Sequence, residues 1–364
     1  MQGFFYQLLS GVPVIAVYLC LMKEKVLLTG ISGFLGSHTA IQLLEKGYLV
    51  TGTLRDTKRS AALKEVIAKY TGNVNNLTFA EAELSDEKIW MQLTKGIDYI
   101  QHIASPFPLT LPKHENDLII PAKAGVLNIL KAASANKVKR IVLTSSSSAV
   151  LHGKPKGGES GTFNETVWAD EHELTDTTPY YRSKIIAEKA AWDYMKRQDS
   201  GLDLVSVLPG AMLGPALEKD IGTSATIVLK MLDGSLPAVP QISFDIADVR
   251  SVADLLILAM ERPEAAGQRF LGTSGSLSLK EIADILRDRY PGRKIPSGRL
   301  PVWLTHVLGW FDKSIQPVLL DLGKERKADS SKARNMLGWQ PISSSQAVLS
   351  CAESLISLGL ITKK

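Results

Sequence analysis

The sequence predicts an α/β fold in which helices cover both faces of a doubly wound parallel sheet. Apolar runs of strand length alternate with helical patterns over the first 210 residues, and this alternation is typical of parallel strands joined by helical crossovers. The first strand runs directly into a glycine-rich turn that opens a helix. With 364 residues, 45% of them hydrophobic and 22% charged, the chain can form this sheet and a second lobe.

The glycine-rich turn spans residues 29–36 and follows the apolar run at 26–28. Its glycines, Gly30, Gly33 and Gly36, have the spacing G-x-x-G-x-x-G rather than G-x-G-x-x-G. Glycines allow a sharp turn and a close approach to a pyrophosphate, while the positive end of the following helix favours negative charge. The spacing alone is equally typical of an ordinary glycine turn in an α/β domain, so other motifs in the chain are needed to show that this turn binds a pyrophosphate.

The second predicted strand, residues 48–54, ends at the position that selects between nicotinamide cofactors. Arg55, Lys58 and Arg59 follow it, with Asp56 among them. Basic side chains there favour the 2′-phosphate of NADP(H), because a guanidinium can bind phosphate with two hydrogen bonds. NAD(H) stays possible, since a charge run at a strand end can also be a solvated surface.

Further helices and strands are predicted, and they alternate from residue 61 to residue 144. His102 lies at the end of one strand, and we expect it to be packed or hydrogen-bonded rather than a catalytic base. The predicted elements are helix 61–70, strand 77–80, helix 87–94, strand 97–103, helix 118–136, strand 140–144 and strand 204–208.

Two neighbouring segments carry groups suited to proton transfer. The fifth strand runs into four serines at 145–148, and a later helix is predicted to begin with Thr178 as its cap and Pro179 at its first position. Tyr180 and Lys184 are four residues apart on that helix and share a face. A nearby ammonium would lower the pKa of a tyrosine that donates a proton.

These motifs together resemble an extended short-chain dehydrogenase/reductase, in the branch of dihydroflavonol, cinnamoyl-CoA and microbial carbonyl reductases. The resemblance runs from about residue 25 nearly to the end and implies a Rossmann-type domain with a substrate lobe. Besides the glycine turn and Tyr180-x-x-x-Lys184, it rests on Leu54-Arg55, His102-x-Ala104-Ser105-Pro106, Pro209-Gly210-x-x-x-Gly214-Pro215 and the run Asp248-Val249-Arg250-Ser251-Val252-Ala253-Asp254.

The resemblance implies a set of cofactor-binding residues. Arg55 would bind the 2′-phosphate, helped by Arg59 or Lys58, and the N–H groups of Phe34 and Leu35 would face the pyrophosphate. The other positions implied are Gly30, Gly33, Gly36, Glu83, Leu84, Ala104, Tyr180, Lys184, Pro209 and Gly210.

The resemblance also implies a reduction of a ketone or aldehyde by NADPH. Tyr180 would be the general acid, Lys184 would hold the nicotinamide ribose, and Ser146 would bind the same carbonyl oxygen. Ser145 and Ser147 remain alternatives within the serine run.

Two positions depart from the family pattern. Glu83 stands in Glu83-Leu84 where many members have Asp-Leu, which affects the adenine contacts. Ala122 stands where many members have the asparagine of a proton relay, so that a water or another group must serve if a relay exists.

Three segments are expected. Residues 1–22 carry no charged side chain and form either a loosely attached tail from an upstream start or, less favoured, a membrane anchor. Residues 23–210 form the NAD(P)-binding domain. Residues 211–364 form most of the substrate lobe, with the chain returning to the main sheet around 243–260. In this lobe we expect the aromatic residues Trp303, Trp310 and Phe311 to be core rather than a substrate platform.

Composition excludes several classes of protein. The net charge of +5 comes without a long Lys/Arg block, which argues against nucleic-acid binding. Cys20 and Cys351 are the two cysteines and lack metal-ligand spacing, so we expect no metal site, no disulfide framework and a cytoplasmic location. The expected partner is a small carbonyl compound, and the expected state is a monomer or homodimer.

Two alternatives share the same motifs. An NAD-dependent sugar-nucleotide epimerase or dehydratase has the same turn, serine, tyrosine and lysine, but Arg55 argues against it. A non-catalytic protein that senses NAD(P) is expected to lack Tyr180 or Lys184, and both are present.

Overall fold

The computed structural model describes residues 23–106, 114–311 and 316–361. The apolar stretch at 1–22, with its predicted tail or anchor, lies outside the described residues. The strands are β1 (Lys25–Thr29), β2 (Leu49–Leu54), β3 (Leu77–Glu81), β4 (Tyr99–His102), β5 (Arg140–Thr144), β6 (Gly161–Phe163), β7 (Asp203–Pro209), β8 (Ala211–Leu213), β9 (Ala238–Val239), β10 (Ser243–Asp248), β11 (Arg269–Gly272), β12 (Gly275–Ser278), β13 (Gly298–Arg299) and β14 (Arg326–Ala328).

The α-helices follow the strands in the predicted alternation through the first half of the chain. They are α1 (Phe34–Glu45), α2 (Ser60–Ala68), α3 (Glu87–Leu93), α4 (Asn116–Ala135), α5 (Ser148–Leu151), α6 (Pro179–Lys196), α7 (Thr223–Leu232), α8 (Val249–Glu261), α9 (Leu279–Arg289), α10 (Val302–Phe311), α11 (Ser331–Leu337) and α12 (Ser344–Ser357).

The main sheet has seven parallel strands in the order β11-β7-β5-β4-β1-β2-β3. Helices α1 and α8 pack with one face of it, while α4 and α6 pack with the other. Residues 26–28 of β1 are fully buried because helices cover both faces of this central strand. The predicted doubly wound parallel sheet is confirmed.

A second core lies in the C-terminal part of the chain. Strands β12, β10 and β8 form a small sheet, and α7, α9 and α12 contribute apolar residues to the core beside it. The amphipathic pattern of α9 begins at a capping box, in which Ser278 and Glu281 satisfy each other's backbone N–H groups.

The return of the chain to the main sheet differs from the expectation for 243–260. Strand β10 belongs to the small sheet, and only the following helix α8 packs on the main sheet. The strand that completes the main sheet is β11, which pairs in parallel with β7. Four residues of edge strand gave too short an apolar run to be recognised in the sequence.

Two helices bear on other expectations. By length and composition alone, α4 is the one helix among the described residues that could cross a membrane, and half of it is buried inside the protein. On α10, Trp303 is 67% exposed, so the expectation that this tryptophan is lobe core was wrong. Trp339, by contrast, is 1% exposed and donates its indole N–H to the carbonyl of Ser251.

Candidate active site

The glycine turn between β1 and α1 has little room for side chains. Gly30 has φ +71° and its carbonyl accepts the N–H of Gly33 at 3.0 Å. A Cβ at Gly36 would collide with that same carbonyl oxygen, and a Cβ at Gly30 would meet Ala104 at 3.0 Å. A Cβ at Gly33 would meet nothing closer than 3.4 Å. The packing of the turn therefore requires glycine at positions 30 and 36. At position 33 the surface beside the backbone is open, so a ligand can approach it.

The first turn of α1 has the features of an anion-binding helix N-terminus. Gly33 caps the helix without a side-chain hydrogen bond, and no acidic residue lies in the first turn. The N–H groups of Phe34 and Leu35 precede the intrahelical ladder, so they need an outside acceptor. A pyrophosphate supplies acceptor oxygens and the charge that this end of a helix favours.

The end of β4 is tied to the glycine turn through Thr29. Its hydroxyl oxygen accepts the N–H groups of Ile103 and Ala104 at 3.1 and 3.0 Å, so its proton goes to Nδ1 of His102, 3.0 Å away. His102 is 2% exposed, and burial with the nearby Lys184 charge lowers its pKa to about 3. The expectation that His102 is a packed, hydrogen-bonded residue is confirmed.

The serine run separates into hydroxyls with different partners. Ser145 is buried and donates its proton to Oε2 of Glu188 at 2.7 Å. Ser146 accepts two hydrogen bonds, from the N–H of Ser148 at 3.2 Å and from its hydroxyl at 3.0 Å. These bonds occupy both lone pairs of Ser146 and leave its own proton for an outside acceptor. Ser147 donates its backbone N–H to the carbonyl of Pro209.

Helix α6 presents the tyrosine and lysine as predicted from its start signals. Thr178 caps the helix by accepting the N–H of Tyr181, and Pro179 is the first helical residue. Lys184 is buried, and its Nζ lies 3.5 Å from the carbonyl oxygen of Thr144 at the end of β5. Lys184 therefore sits against the strand that carries the serine run.

Burial shifts the pKa values of both groups. Desolvation raises the pKa of Tyr180 to about 12. Burial lowers the pKa of Lys184 to about 8, against the opposing effect of the Glu188 charge. The lowering of the tyrosine pKa that we expected from Lys184 is not found, because the shift comes from desolvation, which favours the neutral phenol. At pH 7 the phenol is protonated and the ammonium is mostly charged.

Glu188 was missed in the sequence. It is 1% exposed and accepts hydrogen bonds from Ser145, from Arg269 on β11 at 2.8 Å and from Trp192 at 3.3 Å. The available signal was spacing, since Glu188 and Trp192 continue the four-residue periodicity of Tyr180 and Lys184 along one helix face.

A small cavity, with room for about one water, joins these parts. Its lining includes Ala104 after β4, Thr144 and Ser145 after β5, and Lys184 and Glu188 on α6. The carboxyl ends of two central strands and the α6 helix thus meet at one point beside the glycine turn, which is where doubly wound sheets bind ligands.

The turn after β7 closes the same edge of the sheet. A Cβ at Gly210 would collide with the carbonyl oxygen of Asp245, so only glycine fits there. The carbonyl of Pro209 accepts the N–H of Ser147 at 2.9 Å. Pro209 and Gly210 therefore lie beside the serine run, and their contact with the cofactor stays a prediction.

The other predicted cofactor contacts lie at the ends of β2 and β3. Glu83 is exposed, while Leu84 packs against Gly125, whose Cβ position would be 3.1 Å from it. Arg55 is exposed and makes no ion pair with another residue in the described ranges. Arg59 pairs with Glu218 at 3.2 Å and with Asp220 at 3.5 Å.

The described part of the chain holds no cluster of three His, Cys, Asp or Glu side chains that could bind a metal. Cys351 is buried and unpaired, and burial raises the pKa of its thiol to about 12. Cys20 lies outside the described residues.

Comparison with known proteins places this site in a family. The model of the NAD dependent epimerase/dehydratase family matches residues 26–271. An anthocyanidin reductase ((2S)-flavan-3-ol-forming) from Vitis vinifera is 31% identical over 288 residues, covering 76% of this chain and 83% of that protein. The cinnamoyl-CoA reductase CAD2 from Medicago truncatula is 33% identical over 278 residues, with the same shares of 76% and 83%.

Among solved structures, the yeast methylglyoxal/isovaleraldehyde reductase Gre2, complexed with NADPH, superposes with a TM-score of 0.77. It is 27% identical, and the match covers 93% of this chain and all of that one (100%). These relatives confirm the predicted reductase branch and the oxidoreductase class. The chain is therefore an extended short-chain dehydrogenase/reductase and belongs to the NAD dependent epimerase/dehydratase family.

Proposed function

We propose that the protein is an NADPH-dependent reductase that converts a ketone or aldehyde into an alcohol. The observation that carries the proposal is the meeting of Lys184, the end of β5 and the end of β4 around one cavity next to the glycine turn. The cavity is lined by Ser145, next to Ser146, and by Lys184 on the helix that carries Tyr180, which supports this point as the site of the cofactor's reactive end.

The residues present fit a dinucleotide phosphate. The uncapped first turn of α1 offers N–H groups to the pyrophosphate, and Gly33 leaves room for it. Arg55 and Arg59 follow β2, where a 2′-phosphate would bind. When bound, NADPH supplies the hydride that reduces the carbonyl carbon. The yeast relative that was solved with NADPH supports the same choice of cofactor.

Ser146 positions the carbonyl of the substrate. Because Ser148 already donates two hydrogen bonds to its oxygen, the Ser146 hydroxyl acts as a donor with a fixed direction. A donor aimed at the carbonyl oxygen stabilises the negative charge that develops on it. Ser145 cannot serve in this role while its proton is held by Glu188.

Tyr180 provides the proton. Its raised pKa keeps the phenol protonated at neutral pH, and it donates to the carbonyl oxygen as that oxygen becomes an alkoxide, which is the stronger base. Lys184, one helical turn away, carries a positive charge in a desolvated site. That charge stabilises the phenolate that remains.

Cofactor binding tests the proposal. The dissociation constants of NADPH and NADH are measured for the full chain and for Arg55→Ala. We expect NADPH to bind at least about tenfold more tightly than NADH, a difference of about 1.4 kcal/mol. The variant loses this margin, because the exposed guanidinium is expected to pair with the 2′-phosphate.

Product analysis with a panel of ketones and aldehydes follows the binding measurement. Alcohol formed with consumption of NADPH supports the reductase. Equal or tighter binding of NADH would contradict the role of Arg55, and NAD retained through purification would favour epimerase or dehydratase chemistry instead. Binding of NADPH without turnover of any carbonyl compound would favour a sensor.

We further propose that the enzyme works in the cytoplasm as a monomer or a homodimer. The low cysteine content supports a reducing compartment. Light scattering of the purified full chain measures the mass, and a particle larger than two chains would contradict the proposed monomer or homodimer.

A further inference from the structure

A segment of the substrate lobe, residues 215–222, crosses the glycine turn, and we call it the strap. At its start, the carbonyl of Pro215 accepts the Nε2 proton of His38 on α1 at 2.9 Å. At its end, the Cβ position of Gly222 is 3.6 Å from the ring of Phe34. Leu217 packs against the core of the main sheet. The strap therefore lies along the same helix that would receive the pyrophosphate.

Two carboxylates of the strap hold a cation that follows β2. Oε1 of Glu218 lies 3.2 Å from Nη2 of Arg59, and Oδ2 of Asp220 lies 3.5 Å from its Nη1. The guanidinium thus presents different nitrogens to the two acids. The side chain of Arg59 is 49% exposed, so this ion pair is accessible to a ligand that competes for it.

The two other basic residues after β2, Arg55 and Lys58, do not pair with the strap. Arg55 is exposed and forms no ion pair with other residues in the described ranges, whereas Lys58 is 3.9 Å from Asp56. Of the three basic residues after β2, Arg59 is therefore the one tied to the substrate lobe. A phosphate bound by Arg55 would approach a guanidinium that two carboxylates already occupy.

We propose that Glu218 and Asp220 are specificity-determining residues, which compete with the 2′-phosphate of NADP(H) for Arg59 and so limit the preference of the protein for NADP(H) over NAD(H). The inference rests on the proposed function, because it needs NADP(H) at the β2 end. A phosphate carries about twice the negative charge of a carboxylate and offers three acceptor oxygens, so it attracts a guanidinium more strongly than an exposed carboxylate does. Binding of NADP(H) therefore transfers Arg59 from the strap to the phosphate.

The competition has a consequence for each cofactor. NADH lacks the phosphate and leaves the pair between Arg59 and the strap intact. NADPH must break the pair and also meets two nearby negative charges, which repel it. The strap, once released from Arg59, keeps its contacts with α1 at both ends and the packing of Leu217 on the main-sheet core.

Direct binding measurements test the proposal with the full chain. Calorimetric titrations at low salt use NADPH, NADH and adenosine 2′,5′-bisphosphate, which carries the phosphate without a nicotinamide. The test variant is Glu218→Gln with Asp220→Asn. The matched control is Glu264→Gln with Asp288→Asn, which makes the same change in net charge at exposed positions.

We expect the test variant to bind NADPH and the bisphosphate about threefold to tenfold more tightly than the unmodified protein, because individual exposed ion pairs are weak. Binding of NADH and all binding by the control change less than about twofold. The gain shrinks at high salt, where exposed charges are screened. Adding Arg59→Ala to the test variant removes most of the gain and leaves the part that comes from relief of the charge repulsion, since the freed guanidinium is the main source of the gain.

Three results would overturn the proposal. Weaker NADPH binding by the test variant would mean that the strap holds Arg59 ready for the phosphate. An unchanged affinity would mean that Arg59 does not meet the phosphate. An equal gain in affinity for NADH would mean that Glu218 and Asp220 act on the part of the cofactor that NADH and NADPH have in common. If the unmodified protein binds neither NADPH nor the bisphosphate, the proposed function fails instead, and the two failures are thus distinguishable.

Discussion

The two ends of the cofactor cleft place their charges in opposite surroundings. At the catalytic end, Lys184 and Glu188 are buried, and Glu188 is 1% exposed. At the adenosine end, Arg55 is exposed and the side chain of Arg59 is 49% exposed. The catalytic end therefore acts through desolvated charges with fixed partners, whereas the adenosine end acts through screened charges that can exchange partners.

This difference has an energetic basis. A charge pair in a low-dielectric interior interacts several times more strongly than the same pair at the surface, and an unpaired buried charge is costly. Substitutions at the catalytic end should therefore cause a large loss in the free energy of unfolding or in kcat. Substitutions at the adenosine end should change affinity by modest factors and leave the fold intact.

The largest effect is expected for Arg269→Ala. Arg269 bonds both carboxylate oxygens of Glu188 and the carbonyls of Glu165 and Val167, and its guanidinium stacks 3.6 Å from the ring centre of Trp168. Its removal leaves a buried carboxylate without its cation. The free energy of unfolding, measured by urea titration, should fall by about 3–5 kcal/mol.

Arg59→Ala is the matched control from the adenosine end, since it also removes an arginine that pairs with carboxylates. It should lower the free energy of unfolding by less than about 1 kcal/mol. Equal losses for the two variants would remove the contrast between the buried and the exposed end.

The next effect is expected for Tyr180→Phe. This change keeps the ring and removes the proton that the carbonyl oxygen needs. The kcat for carbonyl reduction should fall by at least about 100-fold, or about 2.7 kcal/mol of barrier, with little change in the dissociation constant of NADPH. A variant that keeps its kcat would exclude Tyr180 from proton transfer.

Local patterns were sufficient to predict most of the catalytic end. The glycine turn, the cap at Thr178 and the spacing of Tyr180 and Lys184 are all encoded within a few residues. Six of the seven strands of the main sheet were predicted as well, because each is an apolar run bounded by turns, whereas β11 was too short to be recognised. The resemblance to a reductase family then assigned roles that no single motif could carry.

Long-range partners were beyond the reach of the sequence. Arg269 pairs with Glu188 across 81 positions, and Arg59 pairs with Glu218 across 159. Neither pairing leaves a periodic signal, since the first depends on how β11 joins the main sheet beside α6 and the second on how the strap lies against the end of β2. The raised pKa of Tyr180 was likewise not predictable, because it comes from burial of the phenol, which the sequence does not state.

The third effect, which is absent at neutral pH, is the pH dependence of reduction, which reports on Lys184. Its pKa is lowered to about 8, so the ammonium is charged below that pH and neutral above it. Tyr180, with a pKa raised to about 12, and His102, with one lowered to about 3, do not titrate between pH 6 and pH 10. The kcat at saturating NADPH should be level up to about pH 7 and fall towards tenfold per pH unit above about pH 8.

Lys184→Arg separates this titration from other causes of inactivation at high pH. A guanidinium stays charged over the whole range, so the residual activity of this variant should be level from pH 7 to about pH 10. If the kcat of the unmodified enzyme also stays level to pH 10, Lys184 keeps its proton over this range. The catalytic end would then be no more sensitive to pH than the adenosine end. An equal decline in both proteins would trace the loss to a group other than Lys184.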